Sequence, residues 1–192
     1  MGPVVLAHER RVPLHGITTG ATRDQFPTTG LRQLPRHMVI SDASTNFGYG
    51  IIIVDTVSWT VEAKSCHQWK CSFSEKHIFR LEAFAACEGL KLVRNLHPEI
   101  ASVIMCTDNT ALAGALLRGY STVDEVNDWF KAENSVCSMD TDVMTVVSEE
   151  MPADALSRGE TDAEVDVAKI QHLHQTWIVE LDTRSTCRTR EK

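Results

Sequence analysis

Apolar and polar positions follow a regular period only in the middle of the chain. A short apolar run, Met38-Val39-Ile40, leads into Ser41-Asp42-Ala43-Ser44, and residues His37–Ser44 read as a strand. A turn at Asn46–Gly48 separates it from a second apolar strand, Tyr49–Val54. Trp59–Lys64 alternates apolar and polar, the period of a strand with one wet face. Three consecutive strands with short turns predict an antiparallel meander. The period then lengthens to that of a helix. Ser74 is placed to cap it, Phe73 and Ile78 occupy hydrophobic-staple positions, and Ile78, Leu81, Ala85, Leu92 and Leu96 form its apolar stripe. Ser102–Thr107 is an unbroken apolar run, which predicts a strand buried on both faces. Thr110–Arg118 reads as a helix stopped by Gly119, Val123–Ala132 as another, and Val143–Val147 as a second buried strand. Pro152 opens a brief helix, Ala153–Arg158, that Gly159 ends. The order predicts an α/β domain whose mixed sheet carries helices on its faces.

Outside this stretch the pattern weakens. Residues 1–36 hold four of the six prolines and no apolar period, which reads as a linker or an extension from an upstream region. Residues 160–192 are expected to form a C-terminal helix around Val165–Val179 and a polar, frayed tail. The chain of 192 residues is 43% hydrophobic, enough for one domain plus tails. No run approaches the roughly 18 apolar residues of a membrane span. No charged region followed by an apolar one opens the sequence, so no secretory signal is expected. The six cysteines show no disulfide framework, and an intracellular, reducing setting is expected.

Charge is uneven. Residues 1–36 sum to +3, residues 37–159 to −8 and residues 160–192 to −2. Within the acidic middle, four carboxylates fall where a packed fold would not choose them. Asp42 follows three apolar residues inside the first strand, and Glu82 lies on the buried stripe of the long helix. Asp108 ends a buried strand, and Asp154 lies in the first turn of the last short helix. Singly, each has an ordinary reading as a cap, a turn residue or a surface group. Together, four like charges in an apolar setting would force protonation unless cations neutralise them, and Mg²⁺ favours carboxylate oxygens plus water. The other metal-like grouping, Cys66-His67 with Cys71 and His77, matches no common zinc spacing. Trp59, Trp69 and Trp129 read as core or edge packing.

The segments Ser41-Asp42-Ala43-Ser44 with Gly48-Tyr49-Gly50, Leu81-Glu82-Ala83, Thr107-Asp108-Asn109 and Met151-Pro152-Ala153-Asp154-Ala155-Leu156-Ser157-Arg158-Gly159 carry a resemblance. Over residues 37–159 the chain resembles the ribonuclease H domain of retroelement reverse transcriptases, of the DIRS and VIPER type. The resemblance implies a ribonuclease-H-like fold with a five-stranded sheet, three antiparallel strands and then parallel ones. It implies that Asp42, Glu82, Asp108 and Asp154 hold two Mg²⁺, replaceable by Mn²⁺, and cut the RNA strand of an RNA–DNA hybrid. The ions would lie roughly 3.5–4 Å apart, for in-line hydrolysis. Ser44, Asn109 and Arg158 become candidates to touch sugar hydroxyls or phosphate. It also implies a reverse transcriptase region upstream. Two departures stand out. Met151 replaces the usual Asn that can cap the last helix, and residues 142–153 lack the His of cellular members. The alternative is a retroelement-derived domain that has lost catalysis and serves as a structural or binding module.

Overall fold

A computed structural model describes residues 34–132 and 139–188. Residues 1–33, most of the expected linker, lie outside them. The hydrophobic runs become five strands: β1 His37–Ala43, β2 Gly48–Asp55, β3 Thr60–Gln68, β4 Ser102–Thr107 and β5 Asp140–Thr145. They form one sheet in the order β3-β2-β1-β4-β5. β1 pairs antiparallel with β2, and β2 with β3, whereas β4 runs parallel to both β1 and β5. The expected five-stranded mixed sheet is present.

The helices are α1 Ile78–Leu96, α2 Thr110–Arg118, α3 Asp124–Ala132, α4 Asp154–Ser157 and α5 Val167–Arg188. None of the helices among the described residues is long and apolar enough to cross a membrane. α1 packs on β1 and β2. Val39, Ile51, Ile53, Val103 and Met105 join its buried face in the main core. That face is not quite the one expected. It runs through Leu81, Glu82, Ala85, Ala86, Gly89, Leu90 and Val93, while Leu96 is exposed. The helix turns its smallest residues to the sheet. A Cβ at Gly89 would stand 2.6 Å from Val39 Cγ1, so glycine permits the close approach.

Other expectations need correction. Ser74 makes no side-chain cap; a 3-10 turn, Glu75–His77, precedes α1, and His77 holds the cap position. β5 begins three residues earlier than expected and is an edge strand, with Met144 as its one buried residue. Its other residues are exposed or half-buried, so it is not buried on both faces. α5 extends through Arg188, beyond the expected Val179. It is tied to the β3 side by Trp59 against His174, ring centroids 5.3 Å apart, with Ile170 fully buried.

Two features of β2 and β3 matter below. Ile53 pairs with Ala63 but Val54 pairs with Val61, which leaves Glu62 as the extra residue of a β-bulge. Gly50, opposite Asp42, is where α4 comes down on the sheet. A Cβ there would run into the Leu156 Cβ and stand 2.9 Å from the Ala153 carbonyl and the Ser157 amide. Gly50→Ala should therefore lower stability by about 1–3 kcal/mol, the usual cost of overpacking. Gly114→Ala, inside α2, meets only the flexible end of Arg118 and should gain up to about 1 kcal/mol. Denaturant midpoints of the two variants should move in opposite directions.

Candidate active site

Asp42 is the sixth residue of β1, and β1 and β4 run side by side in parallel. Their last pair is Ile40 with Cys106, and continuing that register two residues brings Asp42 level with Asp108. Glu82 descends from α1 onto the same spot. One carboxylate oxygen from each of Asp42, Glu82 and Asp108 lies within 4.8 Å of the other two. Two of the three groups are deeply buried, each only 6% exposed in Asp42 and Glu82.

The electrostatics follow from this crowding. Burial, reinforced by the charges of Asp42 and Asp108, pushes the Glu82 carboxyl up to about 9. Burial also pushes Asp42 up to about 6; the Ser157 hydroxyl pulls the other way, and Asp108 and Asp154 add to the rise. Glu82 Oε2 and Asp108 Oδ1 are buried without a hydrogen-bond partner. Buried acceptors of this kind cost free energy unless something donates to or coordinates them. A hard divalent cation is what such an oxygen set accommodates, and the residues fit Mg²⁺ or Mn²⁺.

Asp154 stands apart from the group of three. It lies in the first turn of α4, part-exposed, and its Oδ1 accepts from Arg158 Nε at 2.8 Å. Its charge is nevertheless felt at Asp42. Met151 is extended and buried, and its carbonyl accepts from the Asp154 amide at 3.3 Å. Its side chain supplies no cap, and α4 has none.

The three expected nucleic-acid contacts have internal partners. Ser44 Oγ donates to the Ser157 carbonyl at 2.8 Å and accepts from the Phe47 and Gly48 amides, which ties the β1–β2 turn to α4. Asn109 caps α2, accepting from the Leu112 amide at 3.0 Å. Arg158 is held by Asp154 yet remains largely exposed. Sequence reasoning missed Ser148, whose Oγ donates to Asp108 Oδ2 at 2.6 Å and so orients that carboxylate. A hydroxyl in the loop before Pro152 was its only trace in the sequence. Cys66, His67, Cys71 and His77 do not form a metal-sized group among the described residues: Cys66 donates to the Leu156 carbonyl, and His67 stacks on Tyr49. Trp69 and Trp129 pack against the core, each touching Phe84.

No protein-family model matches the sequence, and no curated protein matches it either. Solved structures do. The N-terminal RNase H domain of Rv2228c from Mycobacterium tuberculosis, solved as a fusion with maltose binding protein, superposes with a TM-score of 0.51 at 14% identity, covering 62% of this chain and 94% of that one. LC11-RNase H1, isolated from compost by a metagenomic approach, gives 0.52 at 15% identity, over 67% and 97%. The same enzyme in complex with an RNA/DNA hybrid gives 0.51 at 14% identity, over 66% and 96%.

The fold is that of ribonuclease H. At such identities the likeness establishes architecture alone. Within the ribonuclease H fold of this chain, the carboxylates meet where the ends of β1 and β4 and the first turns of α1 converge.

Proposed function

We propose that this domain is a metal-dependent ribonuclease H that cleaves the RNA strand of RNA–DNA hybrids. The observation that carries the reading is the convergence of Asp42, Glu82 and Asp108, two of them with orphaned buried oxygens. Asp42, Glu82 and Asp108 would hold the ions, with Asp154 at the open side as the fourth ligand. Bound divalent ions supply activation of the attacking water and neutralisation of charge on the leaving 3′ oxygen. The chain's own part is to fix donor directions. Ser148 orients Asp108, Gly50 lets α4 seat Asp154 beside Asp42, and Arg158 offsets the Asp154 charge until substrate and ions arrive. Arg158, exposed beside the site, is also suited to meet a phosphate.

The setting we propose is intracellular reverse transcription of a retroelement, supported by the Pro152-Ala153-Asp154-Ala155-Leu156-Ser157-Arg158 run. Cleavage of a labelled hybrid in Mn²⁺, beside an Asp108→Asn control, tests the activity. Cleavage by the parent and none by the variant is expected. No cleavage by either would favour the alternative, an inactive domain with a binding or structural role.

Substrate grip should come from elsewhere. Residues 37–159 carry nine basic side chains against seventeen acidic ones. Arg80, Lys91, Lys131 and Arg158 already sit in ion pairs. Affinity for nucleic acid rests largely on Lys and Arg contacts to phosphate. The isolated chain should therefore bind hybrid at micromolar strength or weaker at low salt with Ca²⁺ in place of Mg²⁺. Addition of an upstream polymerase region should rescue it. Nanomolar binding by the chain alone would remove the need for that partner.

A further inference from the structure

A second group of metal-ligating side chains lies at the opposite end of the sheet. His37 begins β1, Glu62 is the bulge residue of β3, and His97 follows the last turn of α1. Glu62 Oε2 stands 2.7 Å from His97 Nε2 and 3.6 Å from His37 Nε2. The two imidazoles lie against each other, centroids 4.1 Å apart. All three donor atoms fall within 4.8 Å of one another. Donors around a tetrahedral zinc, bonded at about 2.0–2.1 Å, stand roughly 3.3 Å apart. The two distances from Glu62 bracket that value.

The bulge is what brings Glu62 into the group. Residues paired across antiparallel strands share a face, so Ala63 opposite Ile53 and Thr60 opposite Asp55 both lie on the α1 side. Regular alternation from Ala63 would put Glu62 on the other face, away from His37 and His97. The extra residue breaks the alternation and re-aims the side chain, a use of bulges common beside functional sites. Arg36, next to His37, would be an unwelcome cation. It is held instead by Asp55, with Nε at 2.9 Å and Nη2 at 2.6 Å from Oδ2.

From this geometry we infer a zinc site formed by His37, Glu62 and His97, with one coordination position left for water. Imidazole with a single carboxylate suits Zn²⁺, while the all-carboxylate site suits Mg²⁺, so the two ends of the sheet select different ions. Asp42 lies five positions along β1 from His37, about 16 Å of strand, and one ion cannot serve both. Zinc at this position ties the end of α1 to β1 and β3.

Zn²⁺ titration followed by thermal melting, and Co²⁺ titration followed by visible absorption, test the site in the full chain. One equivalent of Co²⁺ with the intense bands of a four-coordinate ion, displaced by Zn²⁺, and a rise in melting temperature are expected. His97→Gln, a change at a part-exposed helix end, should weaken zinc by more than about tenfold. His37→Gln with His97→Gln should weaken it by more than about a hundredfold. Glu82→Gln with Asp108→Asn should leave the zinc response intact. Absence of a four-coordinate Co²⁺ spectrum in the parent chain would overturn the inference. So would a response that survives the His97 change, or one that vanishes with the Glu82 and Asp108 changes.

Discussion

Glu82→Gln will make the metal-free protein more stable at pH 8 and abolish hybrid cleavage in the same molecule. The carboxyl of Glu82 is raised from 4.5 to about 9 by burial beside Asp42 and Asp108. A raised native value means that the fold retains a proton which the unfolded chain releases. Stability from this group is therefore full below about pH 4.5 and is lost as pH rises toward 9, at up to about 1.4 kcal/mol per pH unit. Asp42 adds a smaller loss between about 4 and 6. Glutamine keeps the shape and removes the proton requirement, so the variant should gain a few kcal/mol at pH 8 and show a flatter profile. Cleavage should fall by on the order of 10²–10³-fold or more, because several kcal/mol of transition-state charge stabilisation pass through these ligands. Asp108→Asn should behave alike in activity. Urea melts from pH 4 to 9 beside hybrid cleavage measure both. A variant that unfolds while remaining inactive would make Glu82 a structural residue.

Mg²⁺ or Mn²⁺ at millimolar concentration will raise the melting temperature of the parent chain, and more at pH 8 than at pH 5. Ligation requires deprotonated carboxylates, so the ion must displace the proton that Glu82 holds. An ion that binds only the native state stabilises by RT ln(1 + [L]/Kd), which gives about 2.7 kcal/mol at a hundred times Kd. Adding EDTA should reverse the shift. Glu82→Gln and Asp42→Asn should lose most of it. A parent chain indifferent to both ions at pH 8 would count against bound metal.

The sheet and the order of elements were readable because strand and helix periods differ and each run has clear edges. Asp42, Glu82 and Asp108 were readable for the opposite reason: each interrupts an apolar pattern. What escaped depended on contacts across the chain. Hydrophobicity favoured Leu92 and Leu96 for the α1 stripe, yet Gly89 and the alanines face the sheet because the helix packs close. Val143–Val147 looked like a buried strand, but composition does not reveal that, among the described residues, no strand pairs beyond β5. Ser148 is forty residues from the carboxylate it orients. His37, Glu62 and His97 share no motif at all, and the shift that unites two of them is a bulge in the pairing of β2 with β3.

The side-by-side run of β1 and β4 has a consequence for how such a domain can age. The register that carries Asp42 level with Asp108 is set by the parallel pairing of His37–Ile40 with Val103–Cys106. Val39, Ile40, Ile104 and Met105 can drift to other apolar residues of similar volume while the strand register stays the same. Single-residue insertions are another matter, since a slip of one turns every side chain to the opposite face. Lineages carrying this arrangement should thus accumulate substitutions freely in these two strands and almost never change their length.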